Sequence, residues 1–112
     1  MSLFYKFPGM KPRLDTKQFS ELEKNGSIES RIAYLLGHDE SFEAKEKLVD
    51  TAIKYTHDIR NVVARIQEWH LKDKELDKLN AIMDRYASKA SGIFANVWLN
   101  NISQIRPALN KK

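Results

Sequence analysis

The chain has 112 residues, of which 42% are hydrophobic and 30% charged, with a net charge of +4 at pH 7. This is the size and composition of one globular domain spanning residues 1–112. It contains no cysteine, so disulfide bonds and thiolate chemistry are excluded. No apolar stretch reaches the ~20 residues of a membrane span. Met1–Met10 lacks the apolar run of a secretory signal, so we expect a cytoplasmic protein.

The positive charge is concentrated at the two ends of the chain. Residues 1–19 contain four basic residues and one acidic residue, and residues 106–112 contain three basic residues. Residues 20–105 contain 12 basic and 14 acidic residues, so the body is mixed. Basic ends can contact phosphates or acidic partners, and they also keep a protein in solution. The charge pattern leaves both interpretations open.

Residues 1–14 are predicted to form an irregular arm, because Pro8 and Pro12 both oppose regular helix. The arm is rich in aromatic residues, so we expect it to pack across the bundle or a neighbouring protomer. Alternatively, an aromatic and basic arm could stack on a nucleotide, contact nucleic acid or dock a partner. The residues that would make nucleic-acid or nucleotide contacts are Tyr5, Lys6, Lys11, Arg13 and Arg106.

Two short helices are predicted within residues 15–37. Asp15 is a suitable N-cap for the first, which ends at Asn25-Gly26. Ser27 is a suitable N-cap for the second, and Gly37 closes it.

Residues 41–106 are predicted to form a long antiparallel helical hairpin. Apolar residues recur at alternating steps of three and four, which predicts one helix over about 41–70 and another over about 74–105. The first would be capped by Asp39 or Ser41 and the second by Asp73. The polar joint between them is short, which favours antiparallel packing. Pro107 is expected to end the second helix at Arg106. The predicted fold is therefore an all-α, small helical bundle built on this hairpin.

The second long helix combines small residues with surplus apolar surface. Gly92 costs about 1 kcal/mol relative to alanine inside a helix. Close packing of another helix would explain Gly92, and a kink or a ligand niche is the alternative. The apolar residues beyond it are too broadly spread for one helical seam, so we expect them to contact a protein partner or another protomer. These candidate partner-binding residues are Phe94, Val97, Trp98, Ile102 and Ile105.

Residue patterns that support catalysis or metal binding are weak. His38 and His57 each precede an aspartate, but His70 is the only other histidine, and no Glu-x-x-His occurs. The four glycines stand singly, so no glycine-rich phosphate loop is present. We therefore expect no catalytic residues, no metal and no cofactor.

Two segments carry a resemblance to a known family. Asp58-Ile59-Arg60 and Ile93-Phe94-Ala95-Asn96-Val97-Trp98-Leu99-Asn100 resemble the helical hairpin of phage anti-defence proteins that sequester cyclic nucleotides. Those proteins also have an Ile-Arg start and an end with small residues and asparagine. The resemblance covers less than half of the chain, and bulky Val97-Trp98-Leu99 replace the alanine-rich end of the family. It implies nucleotide binding.

The sequence as a whole favours a non-enzymatic, homo-oligomeric helical protein that acts as a small regulator or inhibitor by binding a protein partner. The alternative is nucleic-acid or nucleotide binding through the arm, including sequestration of a cyclic nucleotide.

Overall fold

A computed structural model of the chain describes residues 13–56 and 59–110. These residues form six α-helices and one 3₁₀ turn, and they contain no strand, so the predicted all-α class is confirmed. Residues 1–12, which hold most of the predicted arm, lie outside the described residues. The helices are α1 (Thr16–Asn25), α2 (Ile28–Gly37), α3 (Phe42–Tyr55), α4 (Arg60–Ile66), α5 (Asp73–Lys89) and α6 (Ala95–Leu109), with the 3₁₀ turn at Gly92–Phe94.

The first two helices begin at the caps that the sequence predicts. An Asp15 carboxylate oxygen accepts hydrogen bonds from the backbone N–H groups of Lys17 (3.0 Å) and Gln18 (3.1 Å). The Ser27 hydroxyl accepts one from the N–H of Ser30 at 3.0 Å. Each bond satisfies a backbone donor that has no partner in the first turn of a helix.

The first long helix of the predicted hairpin is two helices in the structure, which corrects the prediction of one helix over 41–70. Ser41 caps α3, and its hydroxyl accepts from the Ala44 N–H at 3.2 Å. The helix ends at Tyr55, and Thr56 is extended with ψ of 135°. The physical reason for the break is Asn101, whose side-chain amide donates to the backbone oxygens at the end of α3. The Ala52 oxygen also accepts from the Thr56 N–H at 3.2 Å, so the Asn101 amide adds to the last backbone bond of α3 and caps its end.

The connection from α4 to α5 is held by a buried carboxylate. Asp39 is only 4% exposed, and its Oδ2 accepts a 2.7 Å hydrogen bond from the indole N–H of Trp69. The Arg65 guanidinium lies 3.6 Å from the same oxygen. The residue at the N-cap of α5 is Lys72 rather than the predicted Asp73. Glu75 accounts for the shift, because its carboxylate accepts from the Lys72 N–H at 3.0 Å.

The second predicted long helix is also divided, which corrects the prediction of one helix over 74–105. Helix α5 ends at Lys89, and Gly92 adopts φ of +68°. This left-handed conformation is inexpensive only for glycine. The chain changes direction there, so α6 packs against α5 as well as against α3 and α4. Close packing does not explain Gly92, because an added Cβ would meet no atom within 4 Å; in place of the predicted kink, the structure has a break between two helices.

Helix α6 continues through Pro107 to Leu109, so the prediction that it ends at Arg106 is wrong. Proline removes one helical hydrogen bond and opposes a helical residue before it. Here that cost is offset by burial, because Ala108 and Leu109 are 4% and 6% exposed within the core. Tertiary packing therefore overrides the local preference for a helix end.

The core is formed mainly by one face of each of α3, α4, α5 and α6. Helix α2 packs on α3, and α1 packs on α2. The largest side chains with almost no exposed surface are Leu35, Leu48, Ile53, Ile59, Ile66, Leu79, Met83 and Ile105.

Candidate functional site

The turn between α5 and α6 exposes two large apolar side chains. Ile93 is 83% exposed and Phe94 is 58% exposed. Val97 lies one helical turn further on and is half-buried. We call Ile93, Phe94 and Val97 the apolar tip. Burying a side chain of this size is worth about 1.5–3 kcal/mol, so the fold leaves this contribution unused.

The structure separates the candidate partner-binding residues into two groups. Phe94 is exposed, and Val97 and Trp98 are half-buried. Ile102 and Ile105 are 6% and 0% exposed and belong to the core. The reason is the change of direction at Gly92, which folds the rest of α6 against the other helices. These two isoleucines therefore form no part of a surface that is open to a partner in this fold.

A cleft of about 330 Å³ is lined by residues from the end of α5 and the start of α6, which precede and follow the apolar tip in the sequence, and by residues of α3. Three of its lining residues are basic and exposed, namely Lys54, Arg85 and Lys89. None of the three forms an ion pair within the described part of the chain. We call this the basic cleft; its lining residues are Asp50, Lys54, Arg85, Tyr86, Lys89 and Trp98.

Tyr86 and Asp50 form a hydrogen bond at one wall of the basic cleft. The Tyr86 hydroxyl donates to Asp50 Oδ1 at 2.5 Å. Burial raises the pKa of Tyr86 above its ordinary value, and the bond to the Asp50 carboxylate raises this pKa further. One oxygen of the cleft's acidic residue is therefore already engaged by a neutral phenol.

Trp98 lines the same cleft and carries a buried donor without a partner. Its ring meets the Tyr86 ring edge to face, with 5.1 Å between the centroids. Its indole nitrogen is buried and has no hydrogen-bond partner in the described structure. Buried polar groups usually have a partner, so this nitrogen is an exception within the fold. The other tryptophan, Trp69, differs in this respect because its indole donates to Asp39.

Of the two His-Asp pairs, the structure describes only His38-Asp39, and there the histidine packs within the fold. His38 stacks on the Tyr34 ring at 3.8 Å, and its Nδ1 lies 2.7 Å from the Tyr34 carbonyl oxygen. His57 and Asp58 lie outside the described residues. Within residues 13–56 and 59–110, no group of three histidine, cysteine or acidic residues could hold a metal ion.

The candidate nucleic-acid residues do not form a described surface. Tyr5, Lys6 and Lys11 lie outside the described residues, and Arg13 is exposed. Arg106 is half-buried and bonded within the fold. Its guanidinium donates to Asn80 Oδ1 at 3.0 Å and to Asp84 Oδ1 at 2.9 Å. Arg106 therefore links α6 to α5, which accounts for its charge without a phosphate.

The basic cleft was not predicted from the sequence. Two signals were available: Arg85 and Lys89 are four residues apart on one helix, and so are Asp50 and Lys54. Residues at this spacing share a helix face. Acidic residues are interleaved with them in the sequence, so the charges looked mixed. Only the packing of α3 on α5 brings the basic groups of the two helices to one place.

No family model matches this chain, and neither a curated protein nor a solved structure matches it. The likeness to phage proteins that sequester cyclic nucleotides therefore stays a prediction carried by the residues quoted for it. Among the described helices, none combines the length and the apolar character needed to cross a bilayer.

Proposed function

We propose that this protein is a non-enzymatic regulator or inhibitor that binds a protein partner through the apolar tip. The exposure of Ile93 (83%) and Phe94 (58%) on either side of one peptide bond carries the proposal. Single exposed apolar residues are common, but adjacent bulky ones at a turn are typical of contact surfaces. The left-handed Gly92 and the packing of α6 on α5 hold this turn in place.

The charge beside the tip favours an acidic partner surface. Arg85 and Lys89 precede the tip in the sequence and have no ion-pair partner in the described residues. A partner that presents an apolar side chain flanked by carboxylates would match both features, and charge complementarity also speeds association. A second copy bound through the same tip would bring the same cations together. We therefore assign the tip to an acidic protein rather than to a second copy.

In this proposal, the helical hairpin consists of α5 and α6 alone. Helices α5 and α6 are joined by a short connection and pack on each other, which favours an antiparallel pair. This pair presents the tip, and α3 and α4 support it. The predicted homo-oligomer would then need a surface other than the tip.

Photo-crosslinking in lysate of the native host tests the proposal. A photoreactive phenylalanine analogue replaces Phe94, and in a control protein it replaces Lys74, an exposed residue at the other end of α5. We expect position 94, and not position 74, to capture one acidic protein. Capture should survive nuclease treatment and should be lost when Ile93→Asp is added, because a carboxylate there opposes both burial and acidic neighbours.

Two outcomes of this experiment would contradict the proposal. The first is capture by position 94 of the same proteins as position 74. The second is capture that depends on nucleic acid, which would favour the alternative function through residues 1–13.

Light scattering separates the acidic partner from a second copy of the chain. We expect Ile93→Asp to leave the molar mass in solution unchanged at micromolar concentrations. A dimer that this substitution dissociates would assign the tip to self-association and would overturn the choice of partner.

A further inference from the structure

The basic cleft has the features of a small-ligand site, and of its lining residues only Arg85 and Lys89 also take part in the proposed protein contact. Its volume of about 330 Å³ lies at the lower end of the range for small-molecule pockets. Its walls combine aromatic rings with charged groups from α3, α5 and α6. The three helices converge there only in the folded chain, so the cleft is a product of tertiary structure.

The charge of the cleft is unbalanced. Lys54, Arg85 and Lys89 supply three positive charges, and Asp50 supplies one negative charge. Asp50 Oδ1 is engaged by the Tyr86 hydroxyl at 2.5 Å, and none of the three cations forms an ion pair among the described residues. Lys54 contacts the face of the Tyr55 ring, with 5.3 Å from Nζ to the centroid. This contact leaves its charge uncompensated.

A tryptophan lies in the wall of the cleft beside these charges. The Trp98 indole N–H is buried without an acceptor in the described structure, on a residue that lines the cleft. An indole can only donate a hydrogen bond. An oxyanion would satisfy the cations, and the Trp98 ring beside them would sense its binding.

We propose that the basic cleft binds a phosphate group, either free or as a monoester of a small molecule. A phosphate carries close to two negative charges near neutral pH, which matches the surplus of three cations over one carboxylate. A carboxylate ligand would leave one positive charge uncompensated. Lysine and arginine would supply charge-assisted hydrogen bonds to the phosphate oxygens.

The two tryptophans make a direct test possible by nuclear magnetic resonance. The ¹⁵N-labelled full chain is titrated with inorganic phosphate at about pH 8, where phosphate is a dianion, with chloride holding the ionic strength constant. We expect the Trp98 indole N–H signal to shift with a saturable dependence. The Trp69 indole signal should stay in place, because its N–H is bonded to Asp39 at 2.7 Å. Trp98→Phe assigns the two signals.

Variants identify the cations that bind the phosphate. We expect Arg85→Gln and Lys89→Gln each to weaken phosphate binding by about fivefold, the effect of one lost ion pair at an accessible site. Lys74→Gln removes an equal charge from the opposite end of α5 and should leave binding unchanged. The Trp69 signal reports that each variant is folded.

Further anions define the ligand class. Sulfate should bind comparably to phosphate, and acetate should bind much more weakly. Tighter binding of phenyl phosphate than of inorganic phosphate would indicate a monoester whose aromatic group contacts the cleft, and equal binding would indicate that the phosphate alone is recognised.

Three results would each overturn the proposal. The first is a shift of the Trp98 signal that does not saturate with phosphate. The second is an acetate affinity equal to that of phosphate. The third is a loss of phosphate affinity in Lys74→Gln equal to that in Arg85→Gln. Arg85 and Lys89 take part in both proposals, but the apolar tip does not line the cleft. Crosslinking at position 94 therefore tests the protein contact separately from these results.

Discussion

At the scale of single residues, Asn101 caps the C-terminal end of α3, a helix far from it in the sequence. Its side-chain amide donates to the backbone oxygens of Ala52 (3.1 Å), Ile53 (3.0 Å) and Thr56 (2.8 Å), and the residue is 1% exposed. Because these oxygens lie at a buried helix end, removing the amide leaves them without this donor. Unsatisfied buried groups are costly.

We therefore expect Asn101→Ala to lower the free energy of unfolding by about 2–4 kcal/mol. Urea denaturation followed by circular dichroism measures this quantity. The matched control is Asn100→Ala, which truncates the exposed neighbour and should change stability by less than about 0.5 kcal/mol. Equal effects of the two substitutions would contradict the capping role of Asn101.

Tyr86 makes stability depend on alkaline pH. Its pKa in the folded protein lies above the ordinary value of 10.0, first because of burial and then because of the bond to Asp50. Below pH 10 the hydroxyl is protonated in both states, so its contribution to stability is complete. Above pH 10 the unfolded chain loses this proton first, so stability falls as pH rises.

Tyr86→Phe should therefore reduce the loss of stability at alkaline pH, because phenylalanine has no proton to lose. At neutral pH it should cost about 0.5–1.5 kcal/mol for the missing hydrogen bond. Urea denaturation at a series of pH values compares the two proteins. The assignment of the bond to Tyr86 fails if the alkaline slope is the same in both.

At the scale of secondary-structure elements, the turn after α5 depends on Gly92. An added Cβ would meet no atom within 4 Å, so the cost of a side chain comes from φ of +68° alone. We expect Gly92→Ala to destabilise the fold by about 1–2 kcal/mol. Gly37 also has free space but lies within α2 without a positive φ. Gly37→Ala should instead stabilise by about 0.4–1 kcal/mol. Effects of the same sign in thermal unfolding would contradict this.

The features that could be predicted from the sequence are those that depend on residues close to each other along the chain. Asp15, Ser27 and Ser41 cap their helices through bonds that reach only two or three positions along the chain. The buried stripe over α3 and α4 also follows from local spacing, since Val49, Ala52, Ile59 and Ile66 are all in the core. Seven-residue periodicity identifies a buried face, but it cannot show whether the helix that carries it is continuous.

The remaining features depend on contacts between distant residues. The break after Tyr55 rests on a hydrogen bond across 45 positions, from Asn101 to Thr56. The passage of α6 through Pro107 rests on burial of Leu109. The apolar tip was predicted in part, because surplus apolar surface was visible in the sequence. The basic cleft was not, because its charges come from two helices whose packing the sequence alone did not specify.

At the scale of the whole molecule, the helices differ in how much surface they bury. Helix α1 buries only Phe19 and packs mainly on α2. Helix α3 buries six residues and contacts α2, α5 and α6. Elements with few buried contacts open locally without unfolding the whole domain. The structure therefore implies a less stable first helix on a more stable body.

Native-state hydrogen exchange should reveal this difference. We expect amides of α1 to exchange through an opening at least about 2 kcal/mol less costly than that for α3. Phe19→Ala should speed exchange in α1 while leaving the amides of α5 close to their original rates. Uniform protection across the two helices would show instead that α1 unfolds only together with the core.

The contact between Asn101 and the end of α3 also constrains the order of folding during synthesis. The ribosome makes α3 first, and Asn101 is added 45 residues after Thr56. Until α6 emerges, the backbone oxygens at the end of α3 lack the Asn101 amide donor, and the apolar faces that α6 covers stay open. A nascent chain that stalls before residue 101 would therefore lack a completed core. Such a chain would depend on a chaperone to stay in solution.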